Sequence, residues 1–270
     1  MVDQEKQRSI PEFVFICGAV GSGNTFMFNC LAQDENVYGV NEDAFGSTLH
    51  RLIESERTMG KCPHSIQTFQ GFLQVLRRDR RTLILRTPSN LRHVALLREH
   101  LPGPRFIVMI REPHAAIVSG MARHAPGTSI EKIARIWLAD FQYFAELDCD
   151  SIVVTFEELV GNPMAALERV SSRVLPLSEA VFAYARRMHD PQRADGERWK
   201  TKVDEEVRRQ IEHWVELLEL EKVYQKITGE AGQGQTVAVR DIAPNGSSSF
   251  WRPLAMVRRQ FFRGWYRLRR

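Results

Sequence analysis

The stretch FVFICGAVGSGNTFMFNCL, from Phe13 to Leu31, constrains this chain more than any other. Phe13 to Cys17 are apolar and partly β-branched or aromatic, the composition of a buried strand, and Asn24 to Leu31 reads as the start of a helix. Gly18, Gly21 and Gly23 lie between the two, where the backbone must turn sharply and can approach an anion closely. The new helix adds unpaired N–H groups and the positive end of its dipole. A phosphate fits such a turn. The spacing Gly18-x4-Gly23-Asn24-Thr25 is that of a Walker A loop in which Asn24 replaces the lysine. That lysine reaches the β- and γ-phosphates of a nucleoside triphosphate, so its absence suits a ligand with a single phosphate at that place. An ordinary glycine-rich strand-to-helix turn satisfies the same spacing, so the loop alone does not decide.

Four more apolar runs read as strands: Asn36 to Val40, Thr82 to Leu85, Arg105 to Ile110 and Ser151 to Phe156. Helical patterns separate them, including a stripe from Ser129 to Leu147 that reads as core and a final helix from Asp204 to Leu220. Alternating strands and helices predict a parallel sheet covered on both faces, with ligands beyond the carboxyl ends of the strands. Charged side chains stand at those ends. Glu42, in Asn41-Glu42-Asp43, fits a general base that takes a hydroxyl proton, and the same segment fits an acidic cap on the next helix. Arg86 follows the third run and suits either an anion or a structural carboxylate partner. Arg111 follows the fourth, with Ser119 eight residues on. A guanidinium forks onto phosphate oxygens and a hydroxyl adds a neutral donor. A P-loop NTPase would want an Asp at such a strand end to hold Mg²⁺, and Arg111 has the opposite charge. Glu157, directly after the fifth run, stands where a Walker B acid would.

These motifs resemble those of sulfotransferases that use 3′-phosphoadenosine 5′-phosphosulfate (PAPS). VGSGNT is similar to their 5′-phosphosulfate loop, K/R-S-G-T/N-T/S, with Ser22, Gly23, Asn24 and Thr25 matching and Gly21 standing where many members carry Lys or Arg. RTPSNLRHVALLREHLPGPRFIVMIREP resembles a segment of bacterial and carbohydrate sulfotransferases that runs K-T-P-x-H-L, helix, strand, R-D-P. Arg86 takes the Lys position there and Asn90 the His position. The resemblance implies that Gly21 to Thr25 cradle the 5′-phosphosulfate, that Arg111 and Ser119 grip the 3′-phosphate, and that Arg86 brings charge to the transferred group. FEELV, from Phe156, is similar to the family's Y-E-D-L-V, and PQRADGERWKTK to the loop that closes over the nucleotide. The latter adds Arg193, Trp199 and Lys200 as cofactor-binding positions, with an exposed flexible loop as the alternative.

Charge separates the body from its end. The 270 residues carry a formal net charge of +4, yet residues 251–270 hold seven Arg and no acidic residue, which leaves the first 250 at −3. A slightly acidic body excludes a broad nucleic-acid surface. WRPLAMVRRQFFRGWYRLRR places Leu254, Val257, Phe261, Trp265 and Leu268 at helical spacing, which suits an anionic membrane surface, an acidic partner, or packing onto the body. Cys17, Cys30, Cys62 and Cys149 show no metal-binding spacing. The polar opening MVDQEKQRSIPE lacks an apolar leader core, and a cytoplasmic location is expected.

The expected architecture is α/β, a three-layer P-loop-like fold with a central parallel sheet of about five strands flanked by helices. Residues 1–230 are expected to form a sulfotransferase domain, 231–250 a Gly/Ser/Gln-rich linker and 251–270 a basic aromatic tail. The expected activity is sulfuryl transfer from PAPS, without a metal, to a hydroxyl acceptor such as a carbohydrate or glycolipid, with Glu42 and Arg86 as the catalytic pair. A P-loop nucleotide or small-molecule kinase and a catalytically silent nucleotide-binding adaptor are the alternatives.

Overall fold

The computed structural model describes residues 10–41, 45–59, 65–77, 80–123, 127–141, 151–190, 192, 195 and 197–232, all within one compact unit, Met1–Val237. Glu42, Arg193, the linker beyond residue 232 and the basic tail lie outside the described residues.

Five strands form one parallel sheet in the order β2-β3-β1-β4-β5: β1 Phe13–Gly18, β2 Val37–Asn41, β3 Thr82–Arg86, β4 Arg105–Ile110 and β5 Ser151–Thr155. The chain passes from β1 to the edge strand β2, returns to β3 between them, then crosses to the other side of β1 for β4 and β5. The order therefore reverses at β1, which leaves a crevice at its carboxyl end. Every residue of β1 and β3 is buried, as is β4 from Phe106 to Ile110, and this is why these strands read as unbroken apolar runs.

Eleven helices are described: α1 Asn24–Leu31, α2 Phe45–Met59, α3 Ser65–Arg77, α4 Val94–His100, α5 Pro113–Met121, α6 Ile130–Phe141, α7 Phe156–Gly161, α8 Pro163–Arg173, α9 Glu179–Met188, α10 Glu205–Leu217 and α11 Leu220–Gly232. None is long and apolar enough to cross a membrane. On one sheet face Val14, Ile16, Ile84, Ile107, Met109 and Val154 pack with Met27 and Leu31 of α1, Leu167 and Val170 of α8 and Val181 of α9. The alternate side chains point the other way and are buried too, with the Phe15 and Phe106 rings stacked 5.5 Å apart. Each such apolar side chain contributes roughly 1.5–3 kcal/mol of burial.

The chain departs from its sequence pattern in three places. The helix expected from Arg86 onward starts as a 3-10 turn over Pro88–His93 and becomes α-helical only at Val94. The helix expected to run to Leu220 stops at Leu217. Glu219 takes a left-handed φ of 52°, and a separate helix follows to Gly232. The reason is a buried stripe, Leu220, Val223 and Ile227, whose packing outweighs the roughly 1 kcal/mol penalty of Gly229 in a helix. Residues 231 and 232 are therefore helix rather than linker.

The tightest constraint lies where β1 passes β4. Gly18 has φ +131°, and a Cβ there would sit 2.0 Å from the Met109 carbonyl oxygen. Gly18→Ala is expected to cost more than about 2 kcal/mol in urea unfolding; a loss below about 0.5 kcal/mol would mean that the strands do not approach this closely.

Candidate active site

The site forms where β1, β3, β4 and β5 end. Gly21 and Gly23 adopt left-handed φ of 86° and 89°, which only glycine takes without strain. Gly23 is the N-cap of α1 and supplies no side-chain cap, so the first-turn N–H groups keep their capacity for an outside acceptor. Asn24, at the lysine position, is turned inward. Its Nδ2 donates to the Ala19 carbonyl at 3.1 Å and closes the loop on itself. Ser22 Oγ and Asn24 Oδ1 are buried and have no protein partner. Such orphaned polar atoms are costly unless a ligand satisfies them, and with the glycine turn they fit a phosphate-bearing group.

Two arginines flank the loop. Arg86, buried at the end of β3, donates from Nη2 to Thr25 Oγ1 at 3.0 Å and so lies under the start of α1. Arg111, beyond the end of β4, donates from Nη1 to the Gly21 carbonyl at 3.2 Å and lies over the Phe156 ring, 4.1 Å from its centroid. Burial holds the Arg111 pKa below its usual value, while the nearby charges of Glu157 and Glu112 act in the opposite direction and Arg123 adds to the depression. Ser119 of α5 lies against Gly21: a Cβ on Gly21 would come within 2.7 Å of Ser119 Oγ. Arg111, Ser119 and the loop are thus gathered in one place.

Behind Arg111 is a second layer. Glu112 caps α5, its carboxylate accepting from the N–H groups of His114 at 2.9 Å and Ala115 at 2.8 Å. Glu157 Oε1 accepts from the Glu112 N–H at 3.2 Å, and Glu157 Oε2 accepts from Tyr224 Oη at 3.0 Å. Burial raises the pKa of Glu157 against the pull of those hydrogen bonds and of Arg111, and burial together with the Glu157 charge pushes that of Tyr224 upward. Glu157 is therefore a hydrogen-bonded carboxylate at the end of β5, in the neighbourhood of Arg111. Tyr224 was not legible from the sequence as a site residue, because it belongs to α11. A reading of the stripe Leu220, Val223 and Ile227 would have exposed it.

The other proposed positions fall further out. Trp199 is buried with its ring stacked on His114, 5.0 Å between centroids, and so ties its segment to α5. Lys200 pairs with Glu197. Asn90, in the family's His position, accepts from the Gly46 N–H at 3.3 Å and anchors the start of α2. Glu112, His114 and Glu221 come close enough together to share an ion, but the Glu112 carboxylate already serves as the cap of α5.

A model of the sulfotransferase family matches residues 56–175, a span that holds Arg86, Arg111, Ser119 and Glu157 and begins after the glycine loop. Over that span the chain is similar to the sulfotransferase family. No curated protein matches it. Among solved structures, the sulfotransferase domain from the curacin biosynthetic pathway shares 14% identity, with 64% of this chain and 77% of that one covered at a TM-score of 0.49. The sulfotransferase domain from the Synechococcus PCC 7002 olefin synthase shares 17%, over 75% and 92%, at 0.48. A sugar kinase from Janibacter sp. HTCC2649 shares 17%, over 61% and 96%, at 0.41.

Gly21 leaves no room for the Lys or Arg common at that position of the loop it resembles, since Ser119 occupies the space and the backbone is left-handed. Gly21→Lys is accordingly expected to destabilise the fold by roughly 1–3 kcal/mol, read by urea unfolding. A variant as stable as the parent would show that the loop can admit the side chain.

Proposed function

We propose that the chain transfers the sulfuryl group of PAPS to an acceptor hydroxyl. The observation that carries this reading is Arg111. A guanidinium at the end of β4, held against the glycine loop through the Gly21 carbonyl, stands where a P-loop kinase needs a carboxylate for Mg²⁺. A basic group at that position suits the 3′-phosphate that distinguishes PAPS from ATP, with Ser119 as the second donor.

In this reading the Ser22 hydroxyl and the N–H groups from Gly23 to Thr25 take the 5′-phosphosulfate, and Arg86, reached through Thr25, offsets charge that builds on the departing 5′-phosphate. The donor supplies the sulfuryl group and its own leaving group. The acceptor oxygen forms the new bond to sulfur as the bond to the 5′-phosphate oxygen breaks, and the acceptor proton passes to a base. Glu42 is the proposed base because of its place beyond β2. Positioning and charge stabilisation supply most of the rate, and no residue set in this scheme requires a metal. Arg193, Trp199 and Lys200 are proposed to cover the nucleotide. A carbohydrate or glycolipid is the proposed acceptor, on the likeness of Arg86 to Leu91 to carbohydrate sulfotransferases. The tail is proposed to hold the protein peripherally at anionic membranes from the cytoplasmic side.

Thermal unfolding with adenosine 3′,5′-bisphosphate, AMP or ATP with Mg²⁺ tests the donor site. A ligand specific for the folded state stabilises it by about 2.7 kcal/mol at 100 times Kd. Selective stabilisation by the bisphosphate is expected, reduced in Arg111→Ala by the roughly 1.5–3 kcal/mol of charge-assisted hydrogen bonding. Stabilisation by ATP with Mg²⁺ instead would overturn the reading in favour of a kinase.

The tail is tested by co-sedimentation with vesicles. Binding to phosphatidylserine vesicles is expected at about 1 kcal/mol for each arginine engaged, with loss on truncation after residue 250. Equal binding by the truncated chain would remove the proposed role.

A further inference from the structure

Resting on the donor reading above, we infer that Glu157 and Tyr224 are positioning residues for Arg111, and that α11 thereby sets the affinity of the site for the 3′-phosphate. Arg111 is held from two directions by a single two-residue step at the end of β5. Phe156 lies under the guanidinium at 4.1 Å, which fixes the plane of the fork. Glu157, its neighbour, accepts the N–H of Glu112 at 3.2 Å and so fixes the backbone turn that carries Arg111. The opposite oxygen of Glu157 accepts the phenol of Tyr224 at 3.0 Å, and this hydrogen bond ties the step to α11.

The rest of the surroundings agree with that role. α7 begins at Phe156, directly after β5, so rotation of this step would displace the ring and the carboxylate together. α11 packs against both β5 and α5, the two elements that the step joins. A carboxylate in a desolvated place is unfavourable unless a charge compensates it. Glu157 and Glu112 are the acidic groups whose fields act on Arg111, and a neutral side chain at position 157 would keep hydrogen-bonding capacity while removing one of those fields. The arrangement makes Arg111 ready before ligand arrives, so that little ordering entropy is lost on binding. Glu157 itself need not touch the nucleotide.

The test is calorimetric titration of the full chain with adenosine 3′,5′-bisphosphate and, separately, with AMP, on wild type, Glu157→Gln and Tyr224→Phe. Preference of the wild type for the bisphosphate is the result the donor reading requires. In the variants the inference expects bisphosphate affinity to fall roughly three- to tenfold, while AMP affinity shifts less than about twofold. A merely structural role would lower the melting temperature and leave the ratio of the two affinities unchanged, and that result overturns the inference while the donor reading survives. A wild type without preference for the bisphosphate overturns both. Tyr224→Phe removes one hydroxyl and keeps the ring, so it decides the question by the same ratio if Glu157→Gln does not fold.

Discussion

β1 pairs on both sides, with β3 and with β4, and the chemistry of this protein gathers where those three strands end. The pairing is close enough that Gly18 admits no side chain beside Met109. From that fixed point the chain must turn at once, and the turn leaves first-turn N–H groups of α1 facing the crevice with no side-chain cap. Arg86 and Arg111 continue from the neighbouring strands on either side. Neither reaches the loop by a flexible route, since each leaves a buried strand and meets its partner within one residue. The parallel sheet therefore determines where the positive charge stands.

Charge placement is what separates this site from that of a nucleoside triphosphatase. The loop lysine is missing, Asn24 is folded back on Ala19, and the strand end that would carry an acid for Mg²⁺ carries Arg111. Acidic groups are present but sit behind the arginine, where Glu112 caps α5 and Glu157 joins three elements. A half-buried cation backed by carboxylates is less costly than a cation alone. Gly21 fits the same pattern. Its carbonyl engages Arg111 and its missing side chain makes room for Ser119, so the cation common at that position is replaced by one arriving from β4.

Much of this was legible in the sequence, for physical reasons. Strands buried on both faces leave unbroken apolar runs, and all five were placed within a residue or so of their observed ends. Glycines at 18, 21 and 23 announced a turn that the backbone angles bear out. The helices after β5 were less visible, because short amphipathic segments such as Glu179–Met188 carry few local signals. The break at Leu218-Glu219 was missed because no glycine or proline marks it, and the cost was α11 and with it Tyr224. The contacts of Arg111 with Phe156 and Gly21 join residues 45 and 90 positions apart, which no local pattern can reveal.

The central claim is that Arg111, Ser119 and the loop from Ser22 to Thr25 form one site for an adenosine nucleotide phosphorylated at both 3′ and 5′ positions. A crystal structure of the complex with adenosine 3′,5′-bisphosphate tests it most directly. The account predicts the 5′-phosphate on the N–H groups of the loop and the 3′-phosphate within hydrogen-bond distance of the Arg111 guanidinium and Ser119 Oγ. A 3′-phosphate directed away from Arg111, or a nucleotide bound elsewhere on the molecule, would contradict it.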